Sequence, residues 1–362
     1  MIEDGLNGAE MLERLASSLR ELPDADARLV STETMIDNHN RLDGIIEAEV
    51  AGRELLLIIE TRRDAFPRDV REAIWQLRNY QHHIQSIERQ VIPFLVAAAI
   101  SSGARETLRH ENVGFYDMGG TLFLPARGAY IFIDRAVPRK SRKIFDTIFK
   151  GQRARVLQTL FDRKNDWLAV KDVSEASFVS PATASQTLAE LERREWVQAR
   201  GSGPTKTRKL VEPEKLVEGW QLYLTSQKPL SLKRYYVPEH SADKLMRRLD
   251  DACHSAGAEY AITGEAAANA YTPHLSSISQ VRCRVGPVEA GKIALERIDA
   301  RPVQEGWNLA IIDDPSVGKN LLCERRDGIN YAKPLQVYLD LLHGSGRSKD
   351  MAAHLRSEGL GL

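Results

Sequence analysis

Ser180-Pro181-Ala182-Thr183-Ala184-Ser185-Gln186-Thr187-Leu188-Ala189-Glu190-Leu191-Glu192-Arg193-Arg194-Glu195-Trp196-Val197 is the most informative stretch of the 362-residue chain. Ser180 offers a hydroxyl to the free amides of a first helical turn, and Pro181 fits the next position, where no amide is needed. Ala184, Leu188, Leu191 and Trp196 recur at helical spacing and predict an inward face. Ala182, Thr183, Ser185, Gln186 and Ala189 fall on the other face, which is small, polar and uncharged. Such a face enters a major groove without repelling phosphates, and Ser, Thr and Gln bond base edges there. A helix that merely faced water would usually carry more charge.

Outward from this helix, residues 196–200 predict a strand, Gly201-Ser202-Gly203-Pro204 a turn and residues 206–211 a returning strand, a hairpin with cations near its tip. Upstream, residues 153–161 read as an amphipathic helix and residues 170–176 as a second. The order helix, helix, helix, hairpin resembles the winged helix-turn-helix domains of bacterial regulators. That resemblance implies that Ser180, Thr183, Ser185 and Gln186 lie near bases or phosphates of double-stranded DNA, and that Lys206, Arg208 and Lys209 reach the backbone or minor groove.

Charge agrees with a polyanionic partner. Residues 138–212 hold 16 Lys and Arg against 9 Asp and Glu, a local excess of seven positive charges in a chain whose totals, 50 of each sign, cancel. A basic stripe neutralises phosphates and makes affinity fall with salt. Two other readings stay open: a helical bundle with a solvated basic surface, and a wing that contacts protein.

The length allows two or three domains, and 43% apolar with 28% charged residues is the composition of an ordinary globular chain. The best apolar run, residues 91–100, is half a membrane span and contains Pro93. With no basic, signal-like start, a cytoplasmic location is expected and no membrane partner. Cys253, Cys283 and Cys323 are too far apart for a zinc site and are expected to be reduced. His82 and His83 are adjacent, so on a helix they diverge and grip no metal together.

In the N-terminal third, from about residue 40, strands dominate. Residues 42–50 alternate, Gly52 marks a turn, and residues 54–60 form a buried strand ending in Glu60, so that Asp43 and Glu60 meet at one end of a sheet. A helix over residues 67–84 carries Trp75, Gln76 and Tyr80; a strand over 92–99, a further helix and strands at 121–124 and 129–133 follow. This order resembles the restriction-endonuclease-like fold of the PD-(D/E)xK nucleases. In that family an Asp and a Glu hold Mg²⁺ and a Lys two residues after the Glu helps activate water. Asp43 matches the Asp and Glu60 the Glu, while Arg62 stands where the Lys should be. Gln76 with Tyr80 resembles a secondary signature of part of that superfamily. Arginine stays protonated and presents a fork in place of a compact ammonium, which counts against nuclease activity. The plain alternative is a pair of carboxylates satisfied by Arg62 and Arg63.

In the C-terminal third, residues 212–226 read as a linking helix. Tyr260-Ala261-Ile262-Thr263-Gly264-Glu265-Ala266-Ala267 reads as a strand running into a helix, and Gln336-Val337-Tyr338-Leu339-Asp340-Leu341 precedes a Gly/Arg break and a last helix over 349–358. With the winged helix, this looks like the AbiEi family, antitoxins of type IV toxin-antitoxin systems, over roughly residues 140–362. The region is related to nucleotidyltransferases, whose paired acids on the next strand are replaced here by Arg282 and Arg284; it reads as catalytically silent. The two arginines alternate to one face, expected to be a solvated sheet face, the other reading being an extension of the DNA surface. Asp313-Asp314 does not rescue the acid pair, and Gly318-Lys319-Asn320 lacks the features of a phosphate loop.

The expected architecture is therefore α/β and multidomain: a restriction-endonuclease-like domain over 1–137, a winged helix over 138–212, and a linker helix with a nucleotidyltransferase-like domain over 213–362. The expected function is a DNA-binding transcriptional regulator of AbiEi antitoxin type, repressing its own operon, with a homodimer and a nucleotidyltransferase toxin from the same operon as partners. It needs no catalytic residue and no cofactor. The alternative is a Mg²⁺-dependent nuclease that uses Asp43, Glu60, Arg62 and Gln76, with the metal on Asp43 and Glu60; a protein-interaction scaffold is a third reading.

Overall fold

The structure, a computed structural model, describes residues 7–35, 41–84, 89–135, 144–313, 323–344 and 346–362. Its contacts divide into two compact units, Met1–Thr147 with Ala189–Glu195, and Ile148–Leu188 with Trp196–Leu362. Both mix helices and sheet.

The first unit is built on a seven-stranded sheet whose strands lie side by side in chain order: β1 (Ala25–Met35), β2 (Arg41–Val50), β3 (Arg53–Ala65), β4 (Gln90–Ile100), β5 (Gly114–Asp117), β6 (Leu122–Ala126) and β7 (Ala129–Ile133). β3, β4 and β5 run parallel, and the other neighbours are antiparallel. Parallel neighbours need crossovers, and the helices α2 (Pro67–His83) and α3 (Ser102–His110) make them. Val70, Ile74, Leu77 and Leu108 of these helices bury Ile58, Leu95 and Phe115. The opposite face is covered by α1 (Gly8–Arg20), whose Leu12, Leu15 and Leu19 pack with Ile46, Leu57, Ile59 and Phe94. With both faces covered, the middle of β3 reads as a continuous apolar run and not as an alternating one. The segment Ala189–Glu195 joins this unit through Arg193, whose guanidinium contacts both Asp69 oxygens.

Two features depart from the sequence reading. α1 and β1 precede the first expected strand; α1 begins with a reciprocal cap in which the Asn7 side chain accepts from the Glu10 amide at 2.9 Å and the Glu10 carboxylate from the Asn7 amide at 3.3 Å. β3 also runs past Glu60 to Ala65, so Glu60 lies inside the strand, in register with Leu95, and not at its end.

The second unit opens with α4 (Gly151–Asp162), β8 (Leu168–Ala169), α5 (Val170–Ser177), α6 (Pro181–Arg193), β9 (Val197–Arg200) and β10 (Thr207–Leu210); the first half of α6 belongs here. The three strands form an antiparallel sheet with β10 in the middle. In the β9–β10 turn, Gly201 has φ +76°, and a Cβ there would lie 3.0 Å from the Thr205 carbonyl oxygen, so a side chain would be both strained and crowded. The next helix, α7 (Pro213–Thr225), brings Trp220 and Tyr223 to 5.8 Å and 5.6 Å from the Phe149 ring, which also meets Trp196 at 6.2 Å. Residues on both sides of the expected boundary at 212 therefore share one aromatic cluster.

The remainder forms a mixed seven-stranded sheet in the order β14 (Arg301–Pro302), β11 (Leu232–Tyr236), β15 (Leu309–Asp313), β13 (Val281–Gly286), β12 (Glu259–Thr263), β17 (Ile329–Ala332) and β16 (Cys323–Arg326). Around it lie α8 (Ala242–Ala256), α9 (Gly264–Tyr271), α10 (Val288–Arg297), α11 (Pro334–Leu341) and α12 (Arg347–His354). Cys253 and Cys283 are buried free thiols, and Cys323 is a half-buried one. Among the described residues, no helix is long and apolar enough to cross a membrane.

Candidate active site and nucleic-acid surface

In the first unit, β2, β3 and α2 bring together Asp43, Glu60, Arg62 and Gln76. Thr61 donates its amide and its hydroxyl to Asp43 Oδ2, at 2.7 Å and 2.8 Å. Arg62 donates through Nη1 to Glu60 Oε2 at 2.9 Å and to the Thr61 carbonyl at 2.8 Å, and through Nη2 to Gln76 Oε1 at 2.9 Å. Glu60 is 5% exposed. Burial, and then the neighbouring Asp43 charge, push its carboxyl up to about 7, while the Arg62 guanidinium opposes the rise. The guanidinium thus compensates Glu60 only in part.

Thr61 was not singled out in the sequence. Its position between Glu60 and Arg62 is the only signal, because on a strand it points away from both. Tyr80 does not join the site: its ring is buried, and its hydroxyl donates to the Arg41 carbonyl at 3.2 Å. Of the plain alternative, Arg62 bonds one oxygen of Glu60, and Asp43 is held by Thr61.

The donors suit a hard divalent cation. Among the described residues, the bonds to these carboxylates fall on Asp43 Oδ2 and Glu60 Oε2, which leaves one oxygen of each for a ligand. No cluster of three or more His, Cys, Asp or Glu among the described residues is placed to hold a metal. Mg²⁺ commonly uses one or two carboxylates and takes its other oxygens from water and phosphate, so two are enough.

In the second unit, Ser180 caps α6, its Oγ accepting from the Thr183 amide at 3.1 Å and lying 2.9 Å from the Thr183 hydroxyl. Ala184, Leu188 and Leu191 are buried, and Ala182, Ser185 and Gln186 are exposed, with Thr183 half-buried. Thr187 is buried as well, bonding the Thr183 carbonyl at 2.7 Å. Of the three hairpin cations, Lys206 and Lys209 are partly exposed, but Arg208 is 7% exposed and donates to the Lys206 carbonyl at 3.4 Å. Its place on the central strand of the small sheet turns it inward, and it leaves the expected DNA-contacting set. Arg200, exposed on β9, lies over the Trp167 ring at 4.5 Å and is a cation the sequence reading passed over.

The expected solvated arginine face of β13 is corrected. Arg284 is 7% exposed and grips Asp340 of α11 through two bonds, Nη2 to Oδ1 at 2.6 Å and Nε to Oδ2 at 2.9 Å. Thr263 donates to Asp340 Oδ2 at 2.6 Å, Gln336 donates to Oδ1 at 2.8 Å, and Gln158 of α4 donates to Gln336. Where an acid pair was sought, a buried arginine is fully engaged by an acid from another element. Asp314 and Gly318-Lys319-Asn320 lie outside the described residues, as do the cations Arg139, Lys140, Arg142 and Lys143 of the basic stretch.

No family model matches the chain, and no curated protein matches it. Three solved structures are similar to part of it. One is a repair endonuclease from Pyrococcus abyssi, 17% identical over 33% of this chain and 49% of that one, with a TM-score of 0.24. Another is EndoMS in a complex with dsDNA, 20% identical over 34% and 48%, with a TM-score of 0.24. The third is EndoMS in its apo form, 19% identical over 34% and 49%, with a TM-score of 0.22. The chain spans about half the length of the structures it matches.

Proposed function

We propose that the chain is a DNA-binding protein that hydrolyses phosphodiester bonds with a divalent cation at Asp43 and Glu60. In this reading, the first unit is a restriction-endonuclease-like domain, residues 148–212 are a winged helix that places it on double-stranded DNA, and the rest is a catalytically silent nucleotidyltransferase-like domain. The observation that carries it is Glu60. A carboxyl that is buried beside a second carboxyl, is pushed up to about 7 by both and keeps one oxygen unengaged is poorly compensated by its own protein. A cation relieves that charge.

When bound, Mg²⁺ supplies charge stabilisation at the phosphate and lowers the pKa of a bound water. The protein's own groups do the rest. Thr61 fixes the Asp43 carboxylate through two bonds, and Gln76 fixes the outer edge of Arg62. Arg62 stays protonated, so it orients Glu60 and carries charge toward a phosphate, and takes no proton from water.

A second reading is supported by the Arg62–Glu60 ion pair, which ties up one Glu60 oxygen, and by the uncharged exposed face of α6. It makes the chain an operator-binding repressor of AbiEi antitoxin type, dimeric on a two-fold operator and encoded beside a nucleotidyltransferase toxin. One experiment separates the two. The protein and its Glu60→Gln variant are incubated with its own upstream DNA, with and without Mg²⁺, across a salt series, and shift and cleavage are read on the same gel. We expect salt-sensitive retention and Mg²⁺-dependent cleavage that Glu60→Gln abolishes. A salt-sensitive shift with intact DNA at every Mg²⁺ concentration leaves the repressor and sinks the nuclease.

A further inference from the structure

The turn between α5 and α6 carries a side chain that its backbone does not call for. Phe178 has φ +52° and ψ +47°, the left-handed region that glycine occupies freely and a bulky side chain pays to enter. Eight non-glycine residues among those described have positive φ; six are Asp, Asn or Glu, one is Ala51, and Phe178 is the one with an aromatic ring. The strain is held in place by the turn around it. The Phe178 amide bonds the Glu175 carbonyl at 3.3 Å, the Val179 amide bonds the Ser174 carbonyl at 3.1 Å, and the Ser174 hydroxyl bonds the Val179 carbonyl at 2.7 Å.

The ring gains little burial in return. Phe178 is 54% exposed, and its recorded ring partner is Arg155 of α4, whose guanidinium carbon lies 5.9 Å from the ring centroid. It stands two residues before Ser180, at the entry to the exposed Ala182, Ser185 and Gln186 face. Strain kept at a residue that adds little to packing marks a functional constraint.

We propose that Phe178 is a DNA-contacting residue, its ring packing on a deoxyribose of the strand that flanks α6 while Arg155 faces the adjoining phosphate. The inference rests on the DNA-binding reading above and holds for the nuclease and the repressor alike. An apolar ring on a sugar excludes water and fixes the register of the helix in the groove, and no counterion is released by it.

The test uses Phe178→Gly and Phe178→Asn in the full chain, both of which suit a left-handed backbone. Melting temperature and fluorescence-anisotropy affinity for a labelled duplex from the protein's own upstream DNA are measured over a salt series. We expect both variants to melt at or above the parent temperature and to bind about tenfold more weakly, with the slope of affinity against salt unchanged. Parent-like affinity in both variants overturns the proposal, and so does a lower melting temperature in both, which makes the ring a packing element. Failure of the unsubstituted protein to bind any duplex overturns the DNA-binding reading itself, an outcome distinct from either.

Discussion

Glu60 ties local electrostatics to a measurable pH dependence. Its carboxyl is raised from an ordinary 4.5 to about 7, so the folded state holds the proton more tightly than the unfolded chain does. Its favourable contribution is complete below pH 4.5 and is lost as the pH climbs through about 7. Glu60→Gln removes that loss. In the absence of divalent cations, its melting temperature should exceed the parent's by an amount that grows between pH 4.5 and 7 and is constant above; equal curves across the range would rule the raised pKa out. Asp43, Glu60, Arg62 and Gln76 were picked out through the resemblance to the PD-(D/E)xK nucleases, and the fold brings the four together. Thr61 was not, since a lone hydroxyl in a strand announces no partner. Arg284 misled because alternation tells which side of a strand a residue faces, not whether that side is covered; Arg208 was grouped with its hairpin neighbours without asking which side of the strand it takes. For Arg284 the cover is Asp340, 56 residues further on.

Between elements, the Arg284–Asp340 pair fastens β13 to α11. Removing one partner leaves the other charged and buried, whereas replacing both with apolar residues of similar size leaves no orphan charge. Asp340→Ala should therefore cost about 3 kcal/mol of stability, and Arg284→Met with Asp340→Leu distinctly less, as read by urea denaturation of the three proteins. A double variant as unstable as the single one would show that the pair is not what holds the helix. Most elements were readable from periodicity and from Gly and Pro punctuation. The exceptions have physical causes. β1 carries Asp26, Arg28, Glu33 and three hydroxyl residues, and is an edge strand with little apolar alternation to detect. β8 and β14 have two residues each, too few for any period.

Over the whole molecule, charges that cancel in sum are unevenly placed, and association with a polyanion should follow the local excess. Replacing Lys206 and Lys209 together by Ala should reduce the slope of log affinity against log salt by about two, with a similar loss on any duplex sequence; an unchanged slope would remove both from the contact surface. The long-range bonds of α4 bear on something else, the order in which this protein can be made. Gln158 is bonded to Gln336 across 178 residues, and Lys164, just beyond the helix, donates to the Leu360 carbonyl across 196. A ribosome delivers α4, α5 and α6 long before it delivers either partner. The three helices should therefore form early but stay loosely held until the distant segment arrives, so that a nascent chain arrested near residue 300 exposes an α6 face that lacks its final support.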